Sequence, residues 1–359
     1  MTDYSQQYFT IESLENGNVI TLTIGSGVTS SDLAWIAWSK DKTNWTTTNN
    51  VDNQTVTITV NAGIENVYFK GSGTRLAVGT TLNDNNSQTV FSSTNTFNAS
   101  GNIMSLLYSD NFAGQTTLIG TFTFDKLFYS SNVVDASNLV LPATTLSQNC
   151  YRAMFRACTS LVSAPNLQSI NLVSSCYREM FYGCTSLVSM QDLPATTLAS
   201  YCYNNMFYGC KSLTQIPNEL PATTLYQFCY DSMFQGCTSI KKAPILPAST
   251  IPGHSYEEMF YGCSLLNEVT CLATSISNSN SITNWLRNTS ASGTFYKHPS
   301  MTSWPSGASG IPSGWTTKDY MMLTINGKVP TAVKFVQNGV THDLDYLKFG
   351  NNLVWQKTS

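Results

Sequence analysis

Apolar and polar positions along this chain follow three rhythms, and each predicts a different kind of element. Over roughly the first hundred residues, short apolar runs alternate with Asn-, Gly- and Ser-rich turns: Phe9-Thr-Ile11, Val19-Ile-Thr-Leu-Thr-Ile24, Leu33-Ala-Trp-Ile-Ala-Trp38, Thr55-Val-Thr-Ile-Thr-Val60 and Val67-Tyr-Phe69. Runs this short, rich in β-branched and aromatic residues, read as strands. Turn signals at regular intervals predict a small antiparallel sandwich over residues 1–102. A similar rhythm returns over 319–359, where Met321-Met-Leu-Thr-Ile325 precedes Asn326-Gly327 and Val333-Lys-Phe-Val336 precedes Asn338-Gly339, followed by Leu353-Val-Trp355. Asn-Gly between alternating apolar residues predicts hairpins and a small C-terminal β module.

The middle segment, 103–318, is periodic on a longer scale. Its ten cysteines fall at 150, 158, 176, 184, 202, 210, 229, 237, 263 and 271, with spacings of 8 and 18 that give a period of 26 and one slip to 27. The units are Cys150-Tyr-Arg-Ala-Met-Phe-Arg-Ala-Cys158, Cys176-Tyr-Arg-Glu-Met-Phe-Tyr-Gly-Cys184, Cys202-Tyr-Asn-Asn-Met-Phe-Tyr-Gly-Cys210 and Cys229-Tyr-Asp-Ser-Met-Phe-Gln-Gly-Cys237. A further unit, Ser255-Tyr-Glu-Glu-Met-Phe-Tyr-Gly-Cys263, carries Ser in the leading position, and Phe124-Asp-Lys-Leu-Phe128 keeps only the apolar skeleton. A period of this length is the signature of a repeat architecture.

Within a unit, Leu146, Cys150, Met154 and Cys158 are spaced i, i+4, i+8, with Tyr151 and Phe155 beside them. That stripe predicts a short amphipathic helix, entered through Leu-Pro-Ala-Thr-Thr-Leu (141–146, 193–198 and 220–225), whose Thr residues are N-cap candidates. Short runs such as Leu161-Val-Ser-Ala164 and Leu213-Thr-Gln-Ile216, stopped by Pro165 and Pro217, predict one short strand per coil. The expected fold is therefore mixed α and β: a leucine-rich repeat solenoid, one short strand plus one short helix per 26-residue coil, between two β modules. The slip to 27 comes from Pro217-Asn218-Glu219 standing where the neighbouring unit has Gln191-Asp192.

The run Tyr-x-x-Met-Phe-x-Gly-Cys-Thr-Ser-Leu followed by Leu-Pro-Ala-Thr-Thr-Leu resembles the BspA-type (Treponema-like) leucine-rich repeats, from Met154-Phe155-x-x-Cys158-x-x-Leu161 to Met259-Phe260-x-x-Cys263-x-x-Leu266. The resemblance covers about 120–300. It departs from the family in Met for Ala, in the extra leading Cys, and in Leu167-Gln-Ser-Ile-Asn-Leu172, which lacks Pro. The Leu-Pro-Ala-Thr-Thr-Leu variant and the closing Gly293-Thr-Phe…Trp304-Pro…Trp315 are similar to a subgroup in gut Bacteroidales and their phages, crAss-like phages included. The resemblance implies a surface-binding protein, either of a virion or, as the alternative, a bacterial cell-surface adhesin.

Cysteine chemistry is constrained by spacing. On a helix, residues eight apart are separated by about 12 Å, beyond the roughly 7 Å that a disulfide tolerates. Zinc prefers closer pairs with four converging ligands. Buried core thiols are the expected state, except that Cys271 lies outside the register and is open to exposure. Charge adds a further constraint, since only 11% of the residues are Asp, Glu, Lys or Arg and the net charge is −3. The largest basic cluster is the pair Lys241–Lys242, so a phosphate-tracking surface is not expected. No apolar run approaches the roughly 20 residues of a membrane helix, and the N-terminal residues show no basic n-region or apolar h-region.

Candidate chemistry is sparse. His254, His298 and His342 lie in separate segments, and Glu257-Glu258 would diverge on a helix. No enzyme activity, metal or cofactor is expected. Trp35, Trp38 and Trp45 invite a carbohydrate-stacking reading, although Leu33–Trp38 is apolar on both faces and reads as a central strand. Ser39-Lys-Asp41-Lys-Thr-Asn-Trp45 is a degenerate Asp-box-like turn.

What remains is surface. The pairs between Tyr and Met vary among coils (Arg152-Ala153, Arg178-Glu179, Asn204-Asn205, Asp231-Ser232, Glu257-Glu258) and are expected on the solvent side. The strand pairs vary likewise, giving Gln215, Lys241, Lys242 and Glu268 as candidate binding residues. The column Arg156, Tyr182, Tyr208, Gln235, Tyr261 is a candidate aromatic ladder for glycan or protein, or else a cover over neighbouring coils. The expectation is a non-enzymatic virion structural or adhesion protein (head or tail fibre, or capsid decoration). It would be made in the host cytoplasm without a signal peptide and would oligomerise with itself or with other virion proteins through a flanking β module. Its coils would bind a host-surface or gut glycan or protein.

Overall fold

The computed structural model describes residues 3–49, 54–60, 65–78 and 88–320, and the strand residues 333–337, 340–344, 346–349 and 352–356. The N-terminal strands are β1 (Phe9–Ser13), β2 (Val19–Thr23), β3 (Leu33–Ser39), β4 (Thr46–Asn49), β5 (Thr55–Thr59), β6 (Glu65–Gly73), β7 (Val90–Ser93) and β8 (Phe97–Asn102). They form two sheets, and the larger one is extended by β9 (Val133–Asp135) and β10 (Leu139–Val140). Its order is β10-β8-β1-β6-β3-β4, with β9 also on β8, while β5-β2-β7 form the smaller sheet. Pairing is antiparallel within the N-terminal strands, whereas β9 and β10 join β8 in parallel. Residues on both sides of position 102 therefore share one sheet.

They also share one core. The Phe128 ring meets Phe9, Phe91 and Phe97 at centroid distances of 5.9, 6.1 and 6.3 Å, and stacks on Phe155 at 5.1 Å. From there the Phe column continues through Phe181, Phe207, Phe234 and Phe260 at 5.4 to 5.7 Å. A parallel column runs Phe124, Tyr151, Tyr177, Tyr203, Tyr230, Tyr256, Trp285 and Trp304. Coils thus stack in register along two buried aromatic rows.

The coils are not built as expected. Among the described residues the only α-helix is Ser105–Tyr108, and no coil carries one, so a leucine-rich repeat solenoid with a helix per coil is excluded. Each Cys-to-Cys segment is instead a run of overlapping turns. In the first coil, Cys150, Arg152, Met154, Arg156 and Cys158 donate their N–H groups three residues back, to Ser147, Asn149, Tyr151, Ala153 and Phe155. The alternate residues Tyr151, Ala153, Phe155 and Ala157 donate to Cys176, Arg178, Met180 and Tyr182 of the next coil. The backbone is half turn and half sheet.

A left-handed residue every fourth position enforces this. Asn149, Ala153 and Ala157 have φ of 58°, 52° and 61°, and equivalents recur in each later coil, ending at Gly183, Gly209, Gly236 and Gly262. Such residues interrupt a right-handed helix, because for L-residues the left-handed conformation brings Cβ onto the carbonyl. Glycine avoids that clash, which accounts for the Gly before Cys184, Cys210, Cys237 and Cys263, where the first coil has Ala157. A stripe repeating every four residues was therefore the period of this turn run, not of an amphipathic helix.

The expected strand per coil is also reduced, to single bridges that join Asp135, Ser163, Ser189 and Gln215 in turn. Longer strands appear at the far end, where β12 (Glu268–Cys271), β14 (Gly293–Lys297) and β15 (Trp315–Asp319) pair in parallel, after the short pair β11 (Thr250–Ile251) and β13 (Ser275–Ile276). Trp304 stacks on Trp285 at 5.6 Å, and Ile311 and Trp315 are buried beside them, closing that end. In the C-terminal segment, β16 (Val333–Gln337) pairs antiparallel with β17 (Val340–Leu344), and β18 (Tyr346–Phe349) with β19 (Asn352–Gln356). Met321–Ile325, Asn326-Gly327 and Asn338-Gly339 lie outside the described residues.

Two further expectations are corrected. Cys271 is fully buried in β12, not exposed. Arg152, Ala153, Glu179, Asn204 and Ser232 are buried, because in a turn run the positions between Tyr and Met face the next coil instead of solvent.

Candidate functional site

Nine of the ten free thiols form two buried columns, and Cys271 is buried apart from them in β12. In the closing column, Cys158, Cys184, Cys210, Cys237 and Cys263 donate to the carbonyl oxygens of Phe128, Phe155, Phe181, Phe207 and Phe234, at 2.8, 3.1, 3.2, 3.0 and 3.0 Å. Each closing Cys is a core filler and also an inter-coil donor. Burial pushes the thiols up, with Cys158, Cys176, Cys229, Cys263 and Cys271 at about 12. A nucleophile or metal ligand requires a thiolate, and these environments oppose one.

The tyrosine column is half-buried and in register. Tyr182 and Tyr208 stack with centroids 4.4 Å apart and planes 3° from parallel. The Arg156 guanidinium lies over Tyr182, 4.1 Å from its centroid, and is itself paired with Glu179. Both faces of Tyr182 are thus covered within the protein. Arg287 lies 5.9 Å from the Tyr261 centroid, and Gln235 occupies the coil between Tyr208 and Tyr261. Stacking a sugar ring on Tyr182 would require displacing a neighbour, so this column offers hydroxyls and ring edges. Burial and the adjacent Tyr208 push the Tyr182 phenol upward, keeping it a neutral donor.

A second ladder went unread in the sequence. Tyr201, Phe228 and His254 stack at 4.6 and 4.5 Å, nearly parallel. Arg178 lies over Tyr201 at 5.4 Å, and Glu257 bonds His254 Nδ1 at 2.6 Å. All three rings sit at left-handed positions, with φ of 59–60°. Bulky residues rarely adopt that conformation. The signal was the residue preceding each leading Cys or Ser, which becomes aromatic only in these three coils.

The other candidates lie along the bridge column. Gln215, Lys241 and Lys242 are exposed, and Glu268 is half-buried with its carboxylate 2.9 Å from Lys242 Nζ. Gln215 bridges Ser189, and Lys242 bridges Glu268. This column is therefore distinct from the tyrosine column, which belongs to the turn run.

The N-terminal aromatics are engaged internally. Lys70 lies over Trp45 at 4.2 Å, and Tyr8 meets the Trp45 ring edge-on at 5.1 Å. Asp41 accepts from the Thr43 and Asn44 backbone N–H groups at 2.8 and 2.7 Å, which closes its own turn and holds its carboxyl well below the usual range. His298 is bonded to Ser300, and the described residues contain no group of three His, Cys, Asp or Glu side chains able to hold a metal. No described helix is long and apolar enough to cross a membrane. No family model, curated protein or solved structure matches the chain.

Proposed function

We propose that the protein is a non-enzymatic structural and adhesive component of a phage particle. Its stacked coils present a ligand-binding face, and its N-terminal sheets or C-terminal strands attach it to other virion proteins or to further copies of itself. The observation that carries this reading is the continuous core joining the N-terminal sheets to the last coil through Phe128 and Phe155. A single core makes the coils a stiff extension of the sheets, so surface columns such as Tyr182–Tyr208 keep their spacing without a partner. Preorganisation of that kind lowers the entropic cost of binding. Ten buried thiols and a surface rich in Ser, Thr and Asn agree with a display role.

Mass spectrometry of purified virions and of host envelopes tests the assignment, with peptides of this chain expected in particles. Recovery from envelopes alone would replace it with a cell-surface adhesin of the host. Glycan-array binding by Tyr182→Ala, Tyr208→Ala and Tyr261→Ala variants tests the tyrosine column, and binding equal to that of the parent would remove it from the contact surface.

A further inference from the structure

The bridge column is broken once. It joins Asp135, Ser163, Ser189 and Gln215, then resumes only between Lys242 and Glu268. No inter-coil backbone hydrogen bond joins residues 214–216 to 241–243. The break coincides with the extra residue in Pro217-Asn218-Glu219. The remainder of the coil is undisturbed. Glu219 bridges Ile245, and the turn runs stay stacked, with Phe207 and Phe234 5.7 Å apart.

The result is an open groove of about 370 Å³ on one face, within the size range of small-ligand sites. Ile216 and Pro217 give it an apolar wall, and Thr214, Asn218 and Ser239 supply hydroxyls and an amide. Lys241 and Lys242 stand at its rim, where other coils have Val162-Ser163, Val188-Ser189, Thr214-Gln215 and Asn267-Glu268. Lys242 is partnered by Glu268, whereas Lys241 is exposed with no ion pair among the described residues. The adjacent lysine pair of an otherwise charge-poor, net-negative chain thus coincides with the opening in the ladder.

We infer that this groove binds a carboxylate-bearing sugar, a uronic or nonulosonic acid residue of a surface polysaccharide. Lys241 would meet the carboxylate, the Thr214, Asn218 and Ser239 side chains the sugar hydroxyls, and Pro217 with Ile216 the C–H face of the ring. The inference rests on the reading of the coils as a binding surface and supplies the ligand class for that surface. An acidic peptide shares the carboxylate but has neither the ring nor its hydroxyls, and the groove walls favour the sugar.

The test is calorimetric titration of the full chain with a glucuronate-containing trisaccharide, with its carboxyl-reduced neutral counterpart, and with hexaglutamate. The acidic trisaccharide is expected to bind at least about tenfold more tightly than either, as the loss of one charge-assisted hydrogen bond dictates. Lys241→Gln should weaken it by a similar factor, and Lys42→Gln, an exposed lysine in the N-terminal turn outside the groove, should leave it unchanged. Equal binding of the neutral trisaccharide, tighter binding of hexaglutamate, or unchanged binding by Lys241→Gln overturns the inference. Circular dichroism of each variant confirms that its coils are intact. If the chain is missing from particles and envelopes yet binds the trisaccharide through Lys241, the groove stands and the virion reading falls.

Discussion

The thiol of Cys184 donates a hydrogen bond to the carbonyl oxygen of Phe155, 3.1 Å away in the preceding coil. The same oxygen accepts the Cys158 N–H at 3.1 Å, so one carbonyl ties a turn to itself and to the next coil. Cys176, in the leading column, is equally buried but packs without a thiol bond of this kind. Cys184→Ala is therefore expected to cost about 1 kcal/mol more than Cys176→Ala, the usual net worth of a hydrogen bond. Urea unfolding of the two variants measures the difference, and equal costs would reduce the closing thiols to space fillers.

Accessibility gives a second expectation. Thiols pushed up to about 12 by burial are almost wholly protonated at pH 8. Iodoacetamide should leave all ten cysteines unmodified in the native protein and modify all ten in guanidinium. Rapid modification of any native Cys would mean that its coil opens locally.

Residue 157 and its equivalents discriminate a turn run from a helix. Ala157 and Gly209 occupy the same left-handed position, with φ of 61° and 71°. A Cβ at Gly209 would come no nearer than 3.9 Å to Gly183 Cα, so conformation and not space sets the cost. Gly209→Ala should destabilise by about 1 kcal/mol, and Ala157→Gly should stabilise by up to a similar amount. In a helix both signs would be reversed.

Buried charge supplies a fourth test. Arg152 forms a bidentate pair with Asp125 at 2.9 and 2.6 Å, and both side chains are almost fully buried where the stack begins. Arg152→Ala is expected to cost about 3–5 kcal/mol, since it strands a buried carboxylate. The double variant Arg152→Met, Asp125→Leu should recover most of that loss. Thermal unfolding of the three proteins is the measurement.

Asp231 makes stability depend on pH with an unusual sign. Burial, reinforced by Glu257 and Glu258, raises its carboxyl to about 6 against an ordinary 3.8, while Ser232 and His254 pull the other way. The native state therefore binds a proton that the unfolded chain does not over roughly that interval, and the Asp231 contribution to stability rises as pH falls from about 6 to about 4. Asp231→Asn should flatten that rise relative to the parent, read as melting temperature across the interval.

The sequence alone determined the period, the recurring Cys, Tyr, Met and Phe core positions and the place of the slip, because stacked coils must repeat their core residues to stay in register. Cys150, Tyr151, Met154 and Phe155 are buried where their recurrence put them, and Pro217-Asn218-Glu219 marks the irregular coil. The backbone path within each coil was less legible. A stripe at i, i+4, i+8 is shared by a short helix and by turns with a left-handed residue every fourth position. The Gly before four of the five closing Cys residues was the one local sign favouring the turns.

Tertiary structure decided the rest, because every second N–H of a turn run pairs with the neighbouring coil, not with its own. That pairing turns Asn204 and Ser232 inward and stacks Tyr201, Phe228 and His254. The groove beside Lys241 has the same origin. One extra residue leaves the backbone groups of two neighbouring coils out of register, and pairing between coils exists only once the coils are stacked.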